Sequence, residues 1–281
     1  VDSLRYYPGA VPENPDDLRR YINDELQRIR DAFDGVIDGA AVSFLLEVSK
    51  GTVQGHKTIN KFGRNTDIDT IEEDVWDGGG IYNYSTTADI THIVSSSASD
   101  TMEIEIDGLD ANWEEVTQTK TLTGTTAVAL DTPLIREPRM KNNSGTAAVG
   151  VIQSGVGTTT GSFSAANLRA QISLGYEQTL MAIYTVPAGK TGYMTNFWGD
   201  INKSNTTGAL DMTLWKRDFG GVFRVQNTVG LLTAGTSHFQ HEYAPYPKIE
   251  AKADIKITGI GSTVNFDVSA GFDLILVDDG F

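Results

Sequence analysis

Apolar side chains alternate with carboxylates in Met102-Glu103-Ile104-Glu105-Ile106, a period of two that suits an extended strand with one buried and one wet face. Leu210, Met212 and Leu214 alternate with Asp211 and Thr213 in the same way. Val222 to Val225 after the Gly220-Gly221 turn, Ile255 with Ile257, and Phe272 to Val277 read as further strands. Asp107-Gly108 reads as the turn that ends the first of these runs. Turn signals recur roughly every 8 to 12 residues, the spacing of sandwiches and barrels. Glycine supplies 29 of 281 residues, which suits short strands joined by many turns. The predicted fold is mainly β, built of antiparallel β-sandwich or jelly-roll-like domains and preceded by an N-terminal arm and one α-helix. No repeat of fixed period argues for a solenoid or propeller.

The single helical period lies near the start. Asn14 can cap a helix whose first position is Pro15, Asp16 and Asp17 suit the positive end of its dipole, and Gly35 can stop it. Leu18, Ile22, Leu26, Ile29 and Phe33 recur at spacings of four, four, three and four, which gives one apolar stripe opposite Arg19, Arg20, Glu25, Arg28 and Asp31. Such a stripe must be covered, either by the chain's own β core or by the same helix of another copy. Val1 to Asn14 is too poor in apolar residues to fold alone and reads as an extended arm. The division expected is an arm and helix over residues 1–43, a β-sandwich over 44–165 and a second over 166–281. The inner boundary rests on Asn142 to Gly161, where large side chains become scarce. A single sandwich split by a long hairpin loop is the alternative.

Charge and composition narrow the function. Lys and Arg number 22 against 37 Asp and Glu, a formal charge of −15 that would repel a polyphosphate and disfavours nucleic acid as a partner. Cysteine is absent, which removes disulfides, thiolate metal sites and cysteine nucleophiles. The longest apolar runs are about seven residues, against the roughly 18 of a membrane span, so neither membrane insertion nor a secretory signal is expected.

Motifs of catalysis are not found. His238-Phe239-Gln240-His241 lies in a strand-like stretch where residues three apart face opposite ways, which argues against a shared metal. Gly155 to Gly161 fits neither a dinucleotide fingerprint nor a phosphate loop and reads as a hairpin tip. Asp67, Asp69, Glu72, Glu73, Asp74 and Asp77 precede Gly78-Gly79-Gly80 without the spacing of an EF-hand; a solvated structural loop is expected, turning about Trp76, with calcium as the alternative. No pair of carboxylates is singled out for glycoside hydrolysis, and no GxSxG elbow is present. Trp76, Trp113, Trp198 and Trp215 with Tyr82 and Tyr84 could stack on sugars, but core or interface packing is the simpler reading. No catalytic, cofactor-binding or metal-ligating residue is therefore assigned.

Several long runs resemble a family of virion structural proteins widespread in tailed bacteriophages. They are Gly55-His56-Lys57-Thr58-Ile59-Asn60-Lys61-Phe62-Gly63-Arg64-Asn65, the segment IEEDVWDGGG from Ile71 to Gly80, Asp107 to Trp113, Leu122 to Thr126, Gln178 to Thr191 and Asp267 to Leu274. The helix at Asn14 to Ala32 is similar to short segments at the head of phage fibre proteins. The resemblance implies a non-enzymatic virion component, assembled in the host bacterial cytoplasm and needing no cofactor. A capsid-exterior decoration protein or head fibre is one expectation; a neck or tail fibre component contacting the host surface, with a surface glycan as partner, is the other. Docking on other virion proteins and homo-oligomerisation, with a trimer favoured from fibre architecture, would run through Tyr6, Tyr7, Leu18, Ile22, Leu26, Ile29 and Phe33.

Overall fold

A computed structural model describes residues 14, 17–18, 21–29, 44–204 and 207–280. The chain divides into two compact units, Val1–Gln54 and Gly55–Phe281.

The first unit contains helix α1 (residues 21–29, with 17–18 also helical) and helix α2 (Phe44–Ser49). The Asn14 carbonyl accepts the N–H groups of Asp17 at 3.1 Å and Leu18 at 3.0 Å, so the helix starts where the capping residue predicts. The arm, Pro15, Phe33 and Gly35 lie outside the described residues. Helix α2 lies at the start of the segment, 44–165, that the sequence assigns to the first β-sandwich. Phe44-Leu45-Leu46-Glu47-Val48 does not alternate, and Leu and Glu favour a helix; Lys50 then pairs with Glu47 at 2.7 Å just past its end.

The second unit contains strands β1 (His56–Ile68), β2 (Glu73–Asp74), β3 (Ile90–Ser95), β4 (Glu103–Leu109), β5 (Glu115–Thr121) and β6 (Val128–Leu134). They are followed by β7 (Arg136–Asn142), β8 (Ile152–Val156), β9 (Leu168–Ile172), β10 (Ile183–Thr185), β11 (Lys190–Ser204) and β12 (Ala209–Arg217). The last are β13 (Arg224–Leu232), β14 (His238–Glu242), β15 (Lys248–Ile249), β16 (Asp254–Gly261) and β17 (Phe266–Asp278). All the named pairs are antiparallel.

Two sandwiches result. In one, the sheet β1-β17-β11-β14, with β15 beside β11, shares a core with the sheet β10-β16-β12-β13, with β2 beside β16. Phe197, Phe266 and Phe272 from the first sheet meet Leu210, Met212, Leu214 and Ile257 from the second. In the other, β6-β3-β8-β9 faces β5-β4-β7 around Ile93, Ile104, Ile106, Leu134, Met140 and Ile152. The predicted alternation holds in β4 and β12, whose Ile104, Ile106, Leu210, Met212 and Leu214 are buried between more exposed polar neighbours.

The expected cut near Ala165 falls between β8 and β9, which pair with each other through Ile152↔Ile172 and Gln153↔Gln171. Strand β1 meanwhile pairs with β17 from His56↔Val277 to Ile68↔Phe266. The second sandwich is thus an insertion, left and re-entered by the strands of the first. Asp107-Gly108 is likewise inside β4 rather than a turn. A Cβ on Gly108 would lie 2.4 Å from Leu134 Cδ1 and 2.8 Å from the Arg136 carbonyl, so the glycine answers a close approach.

A buried ionic knot ties the insertion to its host. Asp254, at the start of β16, accepts hydrogen bonds from Arg136 of β7 at 2.9 and 3.2 Å, from Arg217 Nε at 3.0 Å and from the Thr185 hydroxyl at 2.6 Å. Arg136 stacks over the rings of Tyr84 and Trp113 at 5.0 and 4.9 Å, and Arg217 over Tyr84 and Phe223 at 4.5 Å each.

Candidate functional site

On α1 the helical arrangement leaves the apolar residues outward. Leu18, Ile22 and Leu26 are 37%, 47% and 59% exposed, whereas Glu25 is buried and pairs with Arg28 at 3.3 Å. Ile29 is half-buried. Among the described residues, Leu18, Ile22 and Leu26 are thus the exposed apolar side chains of α1; Tyr6, Tyr7 and Phe33 lie outside the described residues.

The acidic loop differs from the solvated segment expected. Asp74 is buried, 2.8 Å from Lys256 Nζ, and accepts the Tyr82 N–H at 2.7 Å. Glu73 accepts from Asn65 at 3.0 Å and from the Gly80 N–H at 2.9 Å, and Glu72 accepts the Thr258 hydroxyl at 2.8 Å. The carboxylates are thus dispersed onto separate protein donors, because β2 has to pair with β16 and the backbone draws them inward. Trp76 is buried as its neighbouring glycines suggest, and a Cβ on Gly78 would lie 2.3 Å from its ring. Among the described residues no group of three or more His, Asp or Glu is arranged to hold a metal ion. Adding EDTA is expected to leave the melting temperature where it was; a fall of several degrees, reversed by calcium and not by magnesium, would contradict this.

The remaining motifs take structural places. His238 pairs with Asp200 at 2.6 Å, while His241 stacks on Phe239 with ring centroids 6.4 Å apart and meets Tyr243 edge to face at 4.5 Å. Gly155 is in β8, whereas Gly157 and Gly161 take φ of 74° and 73° in the connection to β9. None of the four tryptophans is an exposed platform: Trp76 is buried and Trp113, Trp198 and Trp215 are half-buried. No described helix is long and apolar enough to cross a membrane.

A concavity lies where β1 runs past β4, β5 and β7. It encloses about 700 Å³ and is lined by Lys57, Asn60, Lys61 and Phe62 of β1, by Asp107, Glu115, Thr117 and Arg139 opposite, and by Gln178, Thr179 and Tyr184. Lys61 is 8% exposed, and burial, reinforced by the nearby Arg139, pushes its ammonium down to about 7 against the pull of Asp77 and Asp107. Lys57 is engaged by Glu115 at 2.9 Å, and Asp107 accepts the Thr117 hydroxyl at 2.8 Å. The alternation of β1 held the clue: Lys61 falls in phase with Ile59, Gly63 and Asn65, on the inward side of the strand, where a lysine has no packing reason to be.

The geometry defines a two-sandwich antiparallel β protein with a helical N-terminal unit. No family model matches the chain, and no curated protein sequence matches it. Among solved structures it is similar to that of the infectious bursal disease virus Gt strain, with 12% identity over 85% of this chain and 79% of the other and a TM-score of 0.23. It is also similar to the VP2 subviral particle of infectious bursal disease virus, with 11% identity over 85% and 78% and a TM-score of 0.23. Neither likeness carries a residue role to this chain.

Proposed function

We propose that the chain is a non-enzymatic structural component of a tailed-phage particle, a capsid-exterior decoration protein or head fibre docked through its N-terminal segment. The observation that carries this reading is the exposure of Leu18, Ile22 and Leu26 on α1 among the described residues. A helix of this length is marginal unless its apolar side is buried, and each large side chain covered on docking contributes roughly 1.5 to 3 kcal/mol. The resemblance of the β region to phage virion proteins supports the same reading. The β unit, tied across its two sandwiches by Asp254, is suited to project as a rigid body. The same face serves association between copies, as a trimer.

Replacing Ile22 and Leu26 together by Asp places two charges in that face. The double variant is expected to be lost from assembled particles and to run as a monomer in light scattering, while the β unit melts as before. Normal incorporation would remove α1 as the anchor. A neck or tail position is separated from a capsid position by copy number, since decoration follows the icosahedral lattice and neck or tail parts occur in small rings.

A further inference from the structure

We infer that the side-chain amine of Lys256 and the side-chain carboxyl of Asp74 join in an intramolecular amide, an isopeptide cross-link between β16 and β2 that the folded chain forms by itself with loss of water. The inference does not depend on α1, and its failure would leave the docking reading untouched.

Placement is the first observation. Asp74 of β2 lies opposite Thr258 of β16, and Lys256, two residues along, shares the face of Thr258, so the lysine stem spans a diagonal between the two strands. Its Nζ lies 2.8 Å from Asp74 Oδ1, which puts it within about 4 Å of the carboxyl carbon once one C–O bond length is added. Asp74 is fully buried and Lys256 is 8% exposed. Next to the pair, Trp76, Tyr82 and Tyr84 pack edge to face with centroids 5.2 and 4.8 Å apart, and the Phe223 ring lies 5.0 Å from Nζ, an enclosure that keeps bulk water away.

The second observation is that the pair is close without being satisfied. An ammonium offers three donors, yet among the described residues Lys256 forms an ion pair with Asp74 and no hydrogen bond, and the Oδ1 it approaches has no hydrogen-bond partner. Asp254, by contrast, is hydrogen-bonded by Arg136, Arg217 and Thr185. A buried ion pair offsets its desolvation only when such bonds accompany it. Burial raises the Asp74 acid against the pull of Lys256 and of the Tyr82 N–H, which favours passage of a proton from Nζ to Oδ1. The neutral amine then attacks the carboxyl carbon. The Nζ–Cγ bond forms, the Cγ–Oδ1 bond breaks, and Oδ1 departs as water with that proton and a second one from the nitrogen. Oδ2 becomes the amide oxygen and keeps the Tyr82 N–H at 2.7 Å, a donor already in place for the charge that gathers there during attack. Two groups held together in one fold also gain an effective concentration that separate molecules lack. The product replaces an unsatisfied ammonium by a single amide N–H and gives a chain without cysteine a covalent tie.

The test is the intact mass of the purified full chain, measured by mass spectrometry under denaturing conditions. The folded chain is expected to lie about 18 Da below the mass of its sequence, the loss of one water. A tryptic digest is expected to yield a branched peptide in which Lys256 is not cleaved and is joined to the segment that holds Asp74. Lys256→Arg keeps the positive charge and Asp74→Ala removes the carboxyl; each is expected to restore the full sequence mass. The parent's own mass and its branched peptide decide the matter, so the result stands whether or not the variants fold. Full sequence mass after days of incubation of the folded parent at neutral pH would overturn the inference. So would a deficit that survives Lys256→Arg, or one that maps to a succinimide at Asp77-Gly78, where an aspartate followed by glycine can lose the same water.

Discussion

Asp254→Ala is expected to lower the unfolding free energy by roughly 3–5 kcal/mol, the cost of leaving buried charge without its partner. Asp254 is the common acceptor of Arg136, Arg217 and Thr185, and Arg136 is as buried as the carboxylate itself. Removing the carboxylate strands one guanidinium in the interior and loosens a second. Arg136 cannot easily turn to water, because it is also fixed by the carbonyls of Ser85 and Ile135 at 2.7 and 2.8 Å and held over Tyr84. Thr185→Val removes one hydrogen bond from the same carboxylate and is expected to cost only about 1 kcal/mol. Denaturant unfolding of the two variants against the parent measures the difference. A loss under 1 kcal/mol for Asp254→Ala would show that the knot positions the two sandwiches without stabilising them.

That knot illustrates what sequence reading reaches and what it does not. Arg136, Arg217 and Asp254 are scattered along the chain, and no local pattern joins them; only the pairing of β12 with β16 and the return of β7 bring them together. The same reason hides the insertion of one sandwich into the other, since the pairing of β1 with β17 closes over nearly the whole β unit. Strands with one wet face were legible, as Ile104 and Ile106 show, because burial on one side imposes a period of two on local sequence. Gly108 was misread because a glycine required by close packing carries the same letter as one required by a turn. Helix α2, Phe44–Ser49, is too short to display a helical period at all. Of the candidate residues, Leu18, Ile22 and Leu26 are exposed on the helix that their spacing predicted, and Lys61 was visible in principle as a cation on the inward phase of β1.

Stability is expected to fall as pH rises from about 5 to 8, and Glu137→Gln is expected to remove much of that slope. Glu137 on β7 is 1% exposed; one carboxyl oxygen is hydrogen-bonded with the Ser154 hydroxyl of β8 and the other has no partner among the described residues. Burial pushes its acid up to about 8, against an unfolded value of 4.5, and the bond with Ser154 offsets this only in part. Between those two values the folded chain holds a proton that the unfolded chain has released. Each pH unit then costs the folded state more than about 1 kcal/mol, and the loss, roughly 5 kcal/mol in all, is complete above the folded value. Asp77, pushed by burial up to about 7 from 3.8, acts with the same sign over a slightly lower window. Lys61 acts with the opposite sign: held down to about 7 from 10.5, it has lost in the folded chain a proton that the unfolded chain keeps, so it adds stability as pH rises from 7 to 10.5. Together the three groups place a minimum near neutral to weakly alkaline pH, and the Gln variant separates their contributions. Its amide cannot ionise, so near pH 5 it should match the parent within about 1 kcal/mol, the difference being one rearranged hydrogen bond with Ser154. At pH 9 it should exceed the parent by several kcal/mol, with the Asp77 and Lys61 contributions still visible in its profile. Parallel profiles for the two proteins from pH 5 to 9, measured by denaturant unfolding, would mean that Glu137 finds enough hydration in the folded chain to ionise at its ordinary value.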